Sequence, residues 1–163
     1  MPAEDEQPQV FNPPNRLKMK LGGRLKGFDA EAIARAEAAI ANMSSNFEEW
    51  LHDELNKLLE AHKVILNPAH SVKDIEAFYR TAHDLKGLGA TYGYPIVSQF
   101  AASLCRLIDS PEGRDKAPIE LLTAHVEAIN ASVRQRIKLD THPIGHELLK
   151  ELTKRVAVYG EPE

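Results

Sequence analysis

The sequence predicts an all-α protein: an antiparallel up-down four-helix bundle with an extended N-terminal helix and an additional C-terminal helix. Two observations carry this. After residue 28, apolar residues recur at spacings of three and four along almost the whole chain, and no stretch keeps the alternation of a strand. The periodic segments are separated by short links containing Pro, Gly or Ser, so each apolar stripe must be buried against a neighbouring antiparallel helix. There is no internal repeat of solenoid type.

The elements follow in order. Residues 1–28 carry Pro2, Pro8, Pro13, Pro14, Gly22, Gly23 and Gly27 and no sustained apolar period, and read as a tail. Its basic stretch, Arg16, Lys18, Lys20, Arg24 and Lys26, is either a solvated segment or a docking motif for an acidic partner. Residues 29–163 form the bundle. Asp29 is placed to cap a long helix with the stripe Ile33, Ala36, Ile40, Met43, Phe47, Leu51, Leu55, Leu58, His62 and Ile65. Ser44 and Ser45 mark a weak point or second start, and Asn67-Pro68 ends the run.

Ser71 to Asp74 resembles a capping box and opens a helix over 71–92 with the stripe Ile75, Phe78, Ala82, Leu85, Gly89 and Tyr92, which Gly93 closes. Pro95 opens the next, over 95–110, with Val97, Phe100, Ala101, Leu104, Leu107 and Ile108. Ser110 to Gly113 reads as a turn. A fourth bundle helix spans 117–139, with Pro118 at its start and Ile119, Leu122, Val126, Ile129, Val133 and Ile137 inward. Pro143 begins the additional helix, 143–159, with Ile144, Leu148, Leu152, Val156 and Tyr159. The bundle core is expected over about 44–139.

Composition narrows the function. The 163 residues suit one domain plus tails, and 43% apolar with 27% charged residues is an ordinary globular balance. A net charge of −4 argues against a nucleic-acid binder. Cys105 is the only cysteine, so no internal disulfide forms and no thiolate zinc cluster can be built. The N-terminus lacks the basic and apolar regions of a signal peptide, and no apolar run reaches the length of a membrane span. A cytoplasmic, monomeric protein without membrane or nucleic-acid contacts is expected.

The chemistry concentrates on the second helix, in Ala82-His-Asp-Leu-Lys-Gly-Leu-Gly-Ala-Thr-Tyr-Gly93. With the stripe of Phe78, Ala82, Leu85 and Gly89 facing the core, His83 points roughly 130° away from it, on a solvent-facing flank. Lys86 and Gly87 follow one turn later. A neutral imidazole is a nucleophile near neutral pH. Phosphoryl transfer depends on positioning and on charge at the equatorial oxygens, which a lysine supplies. A mid-helix glycine costs about 1 kcal/mol relative to alanine, so Gly87 needs a reason, and the close approach of a large partner to His83 is one. A plain surface histidine beside a lysine, with glycines serving helix packing, is the simpler alternative.

His83-Asp-Leu-Lys86-Gly87 and Gly93, ten residues after the histidine, resemble the His-x-x-Lys-Gly motif of histidine-containing phosphotransfer (HPt) domains in two-component phosphorelays. They are also similar to the phosphotransfer domain of chemotaxis histidine kinases. The hairpin from about Ser71 to Asp109 carries the resemblance, and 44–139 fits the family's four-helix architecture. The resemblance implies that His83 accepts a phosphoryl group from a histidine kinase, a hybrid kinase or a receiver-domain aspartate, and passes it to a response regulator receiver. The partner would bring Mg²⁺, so the chain would need no cofactor of its own and would not itself be a kinase. Lys86 would stabilise the moving group and Gly87 would admit the receiver. Tyr79, Arg80, Ala90, Ser98, Ala102 and Cys105 are the expected partner-facing residues. The sequence departs from the family at Cys105, 22 residues after the histidine, and at Ala102, where polar residues are common, and at Leu88, where a small one is usual. The alternative reading is an HPt-like module that docks and sequesters a receiver without carrying phosphate.

His142 and His146 share the four-residue spacing of a metal pair but have no third ligand nearby. His52, His62, His70 and His125 read as surface or core-edge histidines, and Cys105 as a small hydrophobe.

Overall fold

The computed structural model describes residues 30–160, and helices are the only regular secondary structure among them. They are α1 (Ala30–Ile65), α2 (Val72–Thr91), α3 (Pro95–Leu107), α4 (Pro111–Lys116), α5 (Ile119–Arg134) and α6 (Pro143–Gly160). The expected cap Asp29 and the basic stretch of the tail lie outside the described residues. By compactness the chain divides into two units, Met1–Ala41 and Asn42–Glu163.

In the first unit the described residues, 30–41, are the opening turns of α1, and their side chains are exposed. The expected stripe is therefore not buried along its whole length: Ile33, Ile40 and Met43 are 42%, 63% and 51% exposed. Burial begins in the second unit, at Leu51, and continues through Leu55, Leu58, His62 and Ile65. The two serines do not interrupt the helix, which runs unbroken for 36 residues. Ser45 turns its hydroxyl back to the Asn42 carbonyl, 2.8 Å away, which satisfies it without breaking the backbone ladder.

The second unit is the bundle: the later part of α1 with α2, α3 and α5, and α6 packed on its side. Its core is built from Leu51, Leu58, Phe78, Leu85, Phe100, Leu104, Leu122 and Ile129 among others, each at most 1% exposed. At about 1.5–3 kcal/mol for each fully buried large apolar side chain, these residues carry the fold. Of the stripe expected on α2, Ile75, Phe78, Ala82, Leu85 and Gly89 are buried, while Tyr92 lies past the last helical residue and is half-buried.

The ends of α2 form as the sequence indicates. The Asp74 carboxylate accepts from the Ser71 backbone N–H and hydroxyl, both at 2.7 Å. At the other end Gly93 takes φ +86°, in the left-handed region that favours glycine. The Tyr94 N–H then reaches the Gly89 carbonyl at 2.8 Å and the Gly93 N–H the Ala90 carbonyl at 3.1 Å, which is a Schellman closure.

The elements after α2 depart from expectation in several places. Ser110 to Gly113 is not a plain turn. Ser110 accepts from the Gly113 N–H at 3.0 Å and caps the short helix α4, with Pro111 in its first turn. Accordingly α3 ends at Leu107 rather than 110. Helix α5 stops at Arg134 rather than 139, because Arg136 adopts φ +55° and the Ile137 N–H bonds back to the Ser132 carbonyl at 2.8 Å. On α6 the inward face is Gly145, Leu149, Leu152 and Val156, while Ile144, Leu148 and Tyr159 of the expected stripe are exposed. Gly145 decides this rotation: a Cβ there would run into Ile96 and Ile137, so the helix packs through its smallest residue.

The core also contains histidine. His125 is fully buried and His62 nearly so, not at the core edge. The Nδ1–H of His125 donates to the Leu121 carbonyl (2.7 Å), and its Nε2 faces the Ser103 hydroxyl at 3.0 Å. His62 Nε2 pairs with the Thr123 hydroxyl at 2.9 Å and joins α1 to α5. Satisfied ring nitrogens are what make this burial tolerable.

Candidate functional site

Since α2 buries Phe78, Ala82, Leu85 and Gly89, the residues between them face outward. His83, Lys86 and Gly87 are all exposed on one flank, with Arg80 and Ala90 exposed as well. A Cβ built on Gly87 would meet nothing within 4 Å. No packing requirement therefore explains that glycine, and the space above this turn is open. Gly89 is different. A Cβ there would lie 2.8 Å from the Ser98 backbone nitrogen and hydroxyl, so Gly89 exists for the close approach of α2 and α3.

The other expected site residues divide by depth. Ser98 is half-buried, and its hydroxyl accepts from the Ala90 N–H at 2.8 Å, fastening α3 to α2. Ala102 is half-buried. Cys105 is 4% exposed, so its side chain forms the floor of the flank and offers a partner no surface. Burial pushes its thiol up to about 11, against the pull of the Lys86 ammonium. A thiol so placed stays protonated and is a poor nucleophile.

Tyr79, one turn before the histidine, is half-buried, and its ring lies 5.9 Å from the His83 ring, tilted by 43°. Its hydroxyl donates to Asp109 Oδ1 at 2.9 Å, which holds the phenol above its ordinary pKa because the anion would face a carboxylate. The Arg114 guanidinium sits 5.0 Å over the same ring. Arg114 is itself held by its Nε–H to the Ile108 carbonyl at 3.0 Å and by Glu76 at 3.7 Å. Sequence reasoning missed Glu76, Asp109 and Arg114. The signal available was the Ser110-Pro111 helix start, which brings Arg114 back over α2.

The remaining histidines do not assemble a second site. Nδ1 of His142 faces the Gly145 N–H at the start of α6, at 3.5 Å. Among the described residues no group of three or more His, Cys, Asp or Glu is placed to hold a metal ion. No described helix is long and apolar enough to cross a membrane.

The exposed His83, Lys86 and Gly87 thus share one flank of a helix in an all-helical bundle. The Hpt domain family model matches residues 42–136, more than half of the chain, and the chain belongs to that family. Hpt domains serve histidine phosphotransfer in phosphorelays, interact with kinases and response regulators, and lack kinase activity of their own. No match was found among curated proteins or among solved structures.

Proposed function

We propose that this protein is a phosphorelay intermediate whose phosphoryl acceptor is His83. It takes the group from a histidine kinase or a receiver-domain aspartate and passes it to a response regulator receiver in the cytoplasm. The observation that carries the reading is the exposed His83 on α2 with open space above Gly87, one turn away. A ring nitrogen attacks phosphorus in line with the departing carboxylate oxygen: the P–O bond breaks as the N–P bond forms. Lys86 offers its ammonium to the equatorial oxygens, where charge accumulates. Arg80 and Ala90 line the approach, and the smoothness of the Gly87 turn lets the receiver bring its own carboxylates and Mg²⁺ close. The return reaction is the same path reversed, since phosphohistidine and acyl phosphate are both energy-rich.

The test is direct. Incubated with a cognate kinase or phosphorylated receiver, the protein should acquire an acid-labile, base-stable label. His83→Gln should lose the label and keep the helical circular dichroism of the parent. A fully labelled His83→Gln protein would sink the assignment.

A further inference from the structure

An imidazole on an exposed helix flank has two free side-chain torsions, and in-line attack requires its nitrogen in one direction. Immobilising such a group before the reaction is a large part of what a phosphotransfer site can contribute. The flank holds one feature able to do this. Tyr79 sits at i−4 to His83, on the same face, with ring centroids 5.9 Å apart, within the range of favourable ring contacts. Unlike the histidine, the tyrosine is fixed from its far side. Its hydroxyl is tied to Asp109, where α3 hands over to α4, and its face is covered by Arg114 of α4. Arg114 is in turn pinned to the Ile108 carbonyl and to Glu76 of α2. The ring is thus held from α2, from the α3–α4 corner and from α4 at once. Cys105, on the floor of the flank, is buried as a protonated thiol and is a weak hydrogen-bond partner by comparison.

We propose that Tyr79 is the positioning residue of this site: locked by Asp109 and Arg114, its ring sets the orientation of the His83 imidazole. The proposal rests on His83 being the acceptor. It also gives α4 a purpose, since this six-residue helix has no buried residue of its own, yet it supplies the guanidinium that caps the tyrosine.

The experiment uses the full chain and a small donor, phosphoramidate, so that no partner docking enters. The histidine nitrogen attacks phosphorus, the donor P–N bond breaks, ammonia leaves, and the ring releases a proton to solvent. Rates of labelling are measured for the parent, Tyr79→Phe, Tyr79→Leu and His83→Gln, alongside the NMR resonances of the His83 ring, assigned by their absence from His83→Gln. Tyr79→Leu should move those resonances and slow labelling by about tenfold, while Tyr79→Phe, which keeps the ring under Arg114, should stay within about threefold. Arg114→Ala, which leaves α2 unaltered but uncovers the Tyr79 ring, should shift the same resonances in the same direction and serves if Tyr79→Leu fails to fold. Unchanged ring resonances, or an unchanged rate in a folded Tyr79→Leu, would overturn the positioning role. Slower labelling with unmoved resonances would overturn it too, because a purely structural effect gives that pattern. Full labelling of His83→Gln would overturn the acceptor reading itself. That result is distinct from an unlabelled His83→Gln beside an unaffected Tyr79→Leu, which removes only the tyrosine's role.

Discussion

Gly87 and Gly89 lie two residues apart on α2 and meet opposite surroundings. Gly87 faces open space, whereas a Cβ on Gly89 would press on the Ser98 backbone. Alanine should therefore separate them by sign. Gly87→Ala should stabilise the protein by about 0.5–1 kcal/mol, because it removes the entropic cost of a mid-helix glycine. Gly89→Ala should destabilise it by about 1–3 kcal/mol, because α2 and α3 must move apart. Thermal melts of both variants check the pair. Gly87→Gln extends the test to function: it should fold as well as the parent yet slow transfer to a receiver, since its side chain occupies the approach to His83. If Gly87→Gln transfers at the parental rate, the receiver does not pass over this turn. At this scale the sequence was informative for His83, Lys86 and Gly87, whose exposure follows from helical period alone. It could not reveal the depth of Cys105, because α3 buries residues on nearly every side, from Ile96 to Leu107, and has no single stripe to read. Nor could it reveal the hold on Tyr79, which depends on partners 30 and 35 residues away.

Among the elements, α2 was the most legible, since both its ends are closed by local chemistry: Asp74 reaching back to Ser71, and Gly93 in the left-handed region. The end of α5 is hidden in the sequence because the same Schellman closure is made there by an arginine. Arg136 holds φ +55°, and the hydrogen bonds of Ile137 and Arg136 to the carbonyls of Ser132 and Val133 repeat those at Gly93. Apolar Ile137 continued the period, and nothing in the residue types announced the stop. That geometry yields a prediction. A non-glycine residue in the left-handed region is strained by about 1 kcal/mol or more. The contact of Arg136 with Glu48, at 3.9 Å and largely exposed, contributes little against this. Glu48 also keeps Lys138 at 3.7 Å. Arg136→Gly should therefore raise stability by about 0.5–1 kcal/mol, read as a higher urea midpoint with an unchanged slope. A lowered midpoint would mean that the Glu48 pairing, not the backbone, governs this corner.

At the scale of the whole molecule, the two buried histidines tie stability to pH. His125 and His62 both lie below the ordinary histidine pKa of 6.5, chiefly because burial penalises the imidazolium. The unfolded chain binds these protons as pH falls below 6.5, and the folded chain resists them. Stability should thus be full above that value and fall on acidification, until the folded groups themselves protonate. The slope is at most about 1.4 kcal/mol per pH unit for each histidine. Asp74 and Glu151 act in a separate window. Their pKa values lie below the ordinary 3.8 and 4.5, so their contribution is lost only under more acidic conditions. Urea unfolding between about pH 7.5 and 5 therefore isolates the histidines. His125→Leu assigns the effect. At pH 7.5 it should be the less stable protein, because the Ser103 hydroxyl loses its partner in the core. Having no proton to exclude at that position, it should also lose less on acidification, so its deficit against the parent should shrink toward pH 5. A deficit that stays constant across the range would show that the acid sensitivity resides elsewhere, with His62 at the α1–α5 contact the next residue to replace.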